Sequence, residues 1–237
     1  AAIVAFGVGA ILLVRSAPAE IKPALPLYET RKWLGSVFSL ALLSGMNVLN
    51  KRLTIILLGL FVSSTSQIGI FKVASQISAL ADFGMRVMNP VIAPEIAQLH
   101  AKQDTPRMQK LATYSTRLII LFNFAFTAGF ALIGKWFLNF FYGSEYVAGY
   151  AVVLILLIGQ LVNSSTGAVA NFLNMTGHEK DTTFARGISL VITVMLVVIM
   201  TPLWGIKGTG IAVTIAMIIW NLLLWRLVKK RLNVNCF

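Results

Sequence analysis

The sequence predicts an all-α, polytopic membrane helical bundle. Three observations predict it: a mean hydropathy of +0.82, only 12% charged against 57% hydrophobic residues in a chain of 237, and a series of apolar runs parted by short basic connections. A soluble domain carries about 25% charged residues. A helix that crosses a bilayer needs about 20 mostly apolar residues in a row. The net charge of +12, from 20 Lys+Arg against 8 Asp+Glu, would point to nucleic acid in a soluble chain. Here the basic residues fall between apolar runs, and no nucleic-acid-binding signature accompanies them. The expected partner is the lipid bilayer.

The elements follow in order. The run 1–14 is shorter than a span, with no basic segment before it and no small-residue cleavage site after it. It is therefore expected to be the end of a truncated transmembrane helix, and the chain the C-terminal part of a longer protein. Residues 15–32 form a polar linker. Run 33–62 is apolar but for one adjacent basic pair and makes a first full helix, roughly 45 Å long. A second helix over 68–99 carries Pro90 and Pro94 near its end, where each removes a backbone bond and can kink the helix. Further helices are expected over 108–137, 147–173, 182–200 and 208–228. Pro202, followed by Gly205, Gly208 and Gly210, marks a tight turn between the last two. The six full helices make one unit over 33–228, and 229–237 is a basic tail.

The connections give the orientation. Arg15, Lys22, Arg31 and Lys32 lie in 15–32. Lys102, Arg107, Lys110 and Arg117 surround the next inner connection. Lys180 and Arg186 lie in 174–186, and Arg226, Lys229, Lys230 and Arg231 near the end. The alternate connections carry at most one charge each: none in 63–67, Glu145 in 138–146 and Lys207 in 201–207. Basic loops face the cytoplasm, so the 15–32 linker and the C-terminus are expected inside.

The interior charges carry the functional argument. Lys51 and Arg52 sit mid-way in the first full helix. A buried cation costs at least about 2.5–3.5 kcal/mol there, and such residues usually face a water-filled cavity or an anionic partner. Ser44, Asn47, Lys51 and Thr54 share one helix face. On the next helix Lys72 and Arg86 are nearly four turns apart and project alike. Gln160, Asn163, Asn171 and Asn174 form a third polar stripe. The bland readings stand beside these. The stripe at 160–174 also fits an interhelical hydrogen-bond seam. Asp82 and Arg86 fit an i,i+4 ion pair. Lys72 is close enough to a helix end to snorkel. If the cations line a cavity, the ligand is an anion, and phosphate suits arginine's fork.

Enzyme readings find little. The single Cys236 allows no disulfide framework, and His100 and His178 stand in polar connections without further metal ligands nearby in sequence. No nucleophile elbow, P-loop or dinucleotide fingerprint occurs in a fitting context. No cofactor, metal or catalytic residue is expected.

The segment WLGSVFSLALLSGMNVLNKRLTIILLGLFVSSTSQIGIFKVASQISAL resembles the seventh and eighth helices of bacterial polysaccharide flippases. FLNMTGHEKDTTFARGISLVITVMLVVIMTPLWGIKGTGIAVTIAMIIWNLLLW, with its TGHEK loop, P-x-x-G turn and G-x-G-x-A helix start, resembles the last three helices of that family. The family belongs to the multidrug/oligosaccharidyl-lipid/polysaccharide exporter superfamily. The resemblance implies a two-lobe, MATE-like transporter, of which this chain is the C-terminal six-helix lobe plus the end of the preceding helix. It implies a multi-pass protein of the bacterial plasma membrane that flips polyprenyl-pyrophosphate-linked glycans by alternating access, together with a missing N-terminal lobe. Coupling to H+ or Na+ is left open. Substrate contacts are expected at Lys51, Arg52, Arg86, Lys72, Asn47, Gln160, Asn163 and Asn171. The rival readings are a cation-coupled multidrug or metabolite exporter of the same superfamily, and a membrane-embedded polysaccharide polymerase. The short outer connections argue against the polymerase.

Overall fold

A computed structural model describes residues 30–62 and 64–234. The expectations for run 1–14, for linker residues 15–29 and for tail residues 235–237 lie outside the described residues. The helices are α1 (Thr30–Phe61), α2 (Thr65–Ala81), α3 (Phe83–Ala101), α4 (Thr105–Tyr142), α5 (Tyr150–Ser165), α6 (Val169–Met175) and α7 (Glu179–Leu232). A 3-10 turn, Ser144–Gly149, leads into α5, and no strand occurs among the described residues. Residues Ser36–Phe237 make one compact unit. Of the unit Ala1–Gly35, only the first turns of α1 are described.

Four stretches among the described residues are long and apolar enough to cross a membrane: Val37–Phe61, Thr105–Tyr142, Ser144–Ser165 and Glu179–Leu232. The last is two crossings. Its 54 residues would make a straight rod of about 80 Å, far longer than a hydrocarbon core of about 30 Å. The chain instead doubles back at Gly205, whose φ of 56° and ψ of −137° are open to glycine and closed to other residues. Arg231 Nε meets Asp181 Oδ2 at 2.8 Å across the hairpin, and the Thr201 and Thr209 hydroxyls lie 2.9 Å apart. The arms 179–204 and 206–232 therefore run antiparallel, as the Pro202–Gly205 signal predicts.

Two helices expected to be continuous are broken. The 68–99 helix divides at Asp82, with φ −77° and ψ −1°, into α2 and α3. Pro90 and Pro94 lie inside α3 without interrupting it. The Asp82 carboxylate offers local hydrogen bonds that compete with the helix, accepting from Arg86 Nε and Asn163 Nδ2. The 147–173 helix divides where α5 ends at Ser165 and α6 begins at Val169, passing through Gly167 at φ +68°. A Cβ on Gly167 would stand 2.0 Å from Thr116 Oγ1 of α4, so at this point no side chain fits between the broken helix and α4. The broken pairs α2–α3 and α5–α6 lie side by side and parallel. Ile70 adjoins Gly149, Asp82 bonds Asn163, and Asn89 bonds Asn171. The two breaks thus fall at nearly the same level.

The core is in two apolar clusters. One gathers Ile96, Met108, Phe172, Leu173, Leu224 and Val228; the other gathers Phe71, Ile77, Leu138, Val152 and Leu157. The ends of the bundle differ in chemistry. Trp136, Phe140, Phe141 and Tyr142 crowd the C-terminal end of α4, with Trp136 and Phe140 stacked at 5.3 Å. Aromatic belts of this kind sit at bilayer interfaces. At the opposite end Arg231 adjoins the start of α4, where Arg107 pairs with Asp104.

Gly205→Ala and Gly167→Ala should each destabilise the protein by about 1–3 kcal/mol or more, since alanine is strained at these dihedrals. Gly129→Ala, with nothing within 4 Å of its Cβ, should be neutral or mildly stabilising. Apparent melting temperatures of the detergent-solubilised variants check the contrast.

Candidate functional site

The predicted polar stripes divide once their partners are in place. Asn123 of α4 is fully buried. Its Nδ2 donates to the Gln160 carbonyl at 3.1 Å and to Ser164 Oγ, and its Oδ1 accepts from Thr127 Oγ1. Asn163 Nδ2 donates to Asp82 Oδ1 at 3.3 Å and to Gln160 Oε1 at 3.4 Å. Asn171 Nδ2 donates to the Asn89 carbonyl at 3.0 Å. Thr166, at the end of α5, donates to Asn221 Oδ1 of α7 at 2.9 Å. Gln160, Asn163 and Asn171 are therefore engaged in a seam that binds α5–α6 to α3 and α4. Each such contact contributes about 0.6 kcal/mol in a membrane protein.

The predicted cations are placed differently from one another. Arg86 Nε lies 3.4 Å from Asp82 Oδ2 in an i,i+4 pair, with the arginine side chain 56% exposed. Lys72 of α2 and Arg52 of α1 are exposed. The side chain of Lys51 lies outside the described residues. Asn47, also on α1, is half-buried and points to a residue absent from the predicted set.

That residue is Arg186. The sequence counts it in the 174–186 connection, but α7 begins at Glu179, so Arg186 lies two turns inside the helix and half-buried. Its Nε donates to Asn47 Oδ1, and its guanidinium plane covers the Trp220 ring at 4.6 Å. The Thr183 hydroxyl, one turn earlier, donates to the Ser39 carbonyl at 3.0 Å. Together these bonds hold α1 against the first arm of α7, with the two helices running parallel. No carboxylate pairs with Arg186 among the described residues. One ring face and Nε are used in fixing the side chain. The two Nη groups, which form the bidentate edge for a phosphate or carboxylate, have no hydrogen-bond partner there. A cation stacked on an aromatic face and oriented by an amide is a preorganised anion receptor. The sequence already carried the signal, because the helix expected over 182–200 contains Arg186 even though it was counted with the basic connection.

Residues 2–151 match the family described as polysaccharide biosynthesis protein. The chain belongs to that family. It is a multi-pass membrane protein, and the matched region takes in α1 to the start of α5, leaving Arg186 outside it. Among curated proteins, the chain is 28% identical over 178 residues to one named "Probable flippase AglR" from Haloferax volcanii. That alignment covers 74% of this family member and 37% of the relative, so the chain spans little more than a third of the relative's length. No solved structure matches it.

Asn123→Ala should lower stability by about 0.6–1.7 kcal/mol, the range of interhelical polar contacts in bilayers. Arg86→Gln, breaking an exposed i,i+4 pair, should change it by less than about 0.5 kcal/mol. Thermal unfolding of the two variants in one detergent compares them directly.

Proposed function

We propose that this chain is the C-terminal half of a flippase that carries lipid-linked oligosaccharide across the plasma membrane for surface polysaccharide synthesis. The family membership and the flippase relative support the transport class. The observation that carries the reading is Arg186: a half-buried cation inside a membrane-spanning helix, with no carboxylate partner among the described residues and its phosphate-binding edge free. An intramembrane cation kept in this way calls for an anionic ligand, and the headgroup of a polyprenyl-pyrophosphate glycan is one. Lys51 and Arg52 on α1 add positive charge along the helix that Arg186 faces.

The proposed mechanism is alternating access between this lobe and an N-terminal lobe of similar build. The pyrophosphate docks on the α1–α7 seam, and rocking of the lobes exposes that seam to each leaflet in turn. No covalent chemistry is asked of the chain. The basic end of the bundle, where Arg107, Lys180 and Arg231 gather, faces the cytoplasm under the positive-inside rule. That puts the C-terminus inside.

In the full-length protein, Arg186→Gln should cut surface-polysaccharide output about tenfold or more, because a charge-assisted hydrogen bond contributes about 1.5–3 kcal/mol. Arg186→Lys should retain part of it, as a point charge without the fork. Lys51→Gln combined with Arg52→Gln should also reduce it. Wild-type output from Arg186→Gln at normal membrane levels would rule the reading out.

A further inference from the structure

At the end of the bundle away from the aromatic belt, the α3–α4 turn and the last turn of α7 border a pocket of about 560 Å³. Leu99, Met108 and Leu232 form its floor; all three are buried and belong to the apolar cluster around Ile96 and Phe172. His100, Thr105 and Arg231 supply its polar lining. The carboxylates that border it are already matched. Asp104 pairs with Arg107 at 3.3 Å. Asp181 holds Arg231 through Nε at 2.8 Å and Nη2 at 3.4 Å. This fixes the guanidinium and leaves its Nη1 without a hydrogen-bond partner among the described residues. Lys102, Lys110 and Lys230, each within two residues of the lining, have no carboxylate partner among the described residues. The charge left unmatched around the pocket is therefore positive.

The length of α4 gives the depth. From Trp136 in the aromatic belt back to Met108 and Thr105 is about 42–46 Å along the helix. A bilayer with its headgroups is about 40–45 Å thick. With the belt at one interface, the pocket lies at the headgroup level of the other.

We infer that this pocket holds a phosphate group, that of an anionic phospholipid in the leaflet at the basic end. Three features select this ligand. Unmatched positive charge calls for an anion, and a guanidinium held in place with a free N–H group suits a phosphate oxygen. The apolar floor suits the glycerol and first acyl carbons beside that phosphate. The headgroup depth brings lipid phosphates alongside, as in other basic pockets between membrane helices. Arg186 does not line the pocket, so this site stands independently of the flippase reading.

The test is native mass spectrometry of the full-length protein, stripped of lipid and then offered phosphatidylglycerol or phosphatidylcholine. The wild type should hold its first phosphatidylglycerol about tenfold more tightly than phosphatidylcholine, the scale of one charge-assisted hydrogen bond. Arg231→Gln should remove that preference. Because it also loosens the Asp181 contact, Thr105→Trp, which fills the pocket from an exposed position, provides an independent route to the same loss. Lys180→Gln, at the same end of the bundle but outside the pocket, should change phosphatidylglycerol binding by less than about twofold, and so should Arg186→Gln. The inference is overturned if phosphatidylcholine binds as well as phosphatidylglycerol, or if the preference survives both pocket variants. It is overturned equally if Lys180→Gln costs as much as Arg231→Gln, the behaviour of diffuse surface charge. Displacement of the lipid by an equal concentration of glycerol 3-phosphate also overturns it, since the pocket would then take soluble phosphates. None of these outcomes touches the flippase reading, which is decided by polysaccharide output from Arg186→Gln.

Discussion

The constraint on which this bundle depends is that polar groups inside a bilayer must find their partners within the protein. Two of its helices are broken, and a break releases backbone groups where no water can take them up. At the α5–α6 break the Gly167 amide turns back to the Ser164 carbonyl at 3.0 Å, and the Ala168 carbonyl accepts from Asn171 and Phe172. The Thr166 hydroxyl donates to Asn221 of α7. At the α2–α3 break the Asp82 carboxylate is met by Arg86 and Asn163. Asn163, Asn171 and Asn221 therefore serve at or near the two breaks, where they help make broken helices tolerable. That accounts for a dense Asn/Gln/Thr seam in a chain that is otherwise 57% hydrophobic.

The breaks also locate the parts of the bundle that can bend. A continuous helix resists bending because every residue closes a backbone bond, whereas adjoining breaks at Asp82 and Gly167 fall at one level in two parallel helices. Gly167 sits against Thr116 with no room for a side chain. This pins α5–α6 to α4 while leaving α6 and α3 to pack with the apolar cluster around Phe172 and Ile96. Discontinuous helices near the bilayer mid-plane are a recurring device of secondary transporters.

Much of the fold was legible in the sequence because hydropathy reports lipid exposure directly. The runs 33–62 and 108–137 became α1 and α4, and Pro202 with Gly205 announced the hairpin in α7. The breaks were not legible. Gly167 is required by Thr116, some fifty residues earlier, and nothing local in SSTGAVAN marks that contact. Asp82 outweighs Pro90 and Pro94 because its carboxylate finds partners on two helices, while both prolines are accommodated within α3. The stripe at 160–174 was visible as a stripe. Its partners Asn123, Asn89 and Asn221 lie on other helices, so periodicity alone could not separate a seam from a cavity wall. Asn47 was visible too, but Arg186 was passed over because it was counted with the basic connection 174–186, although the helix expected over 182–200 already contains it.

The parallel course of α1 and the first arm of α7 bears on how a lipid-linked sugar could cross. The cost of flipping such a molecule lies in its head: charge and hydroxyls must pass a hydrocarbon core of about 30 Å, while the chain is at home there throughout. A transporter need only shelter the head and let the chain follow. The seam between two parallel helices answers the first requirement, with Asn47 and Arg186 meeting there, and the bilayer itself answers the second. On the proposed reading the phosphate stays with the arginine while the chain stays in the hydrocarbon. Binding must also be weak enough to end. Arg186 offers one bidentate edge, its remaining surface being committed to Trp220 and Asn47. A single edge holds a phosphate without enclosing it, which suits a site that must release its cargo on the far side of each cycle.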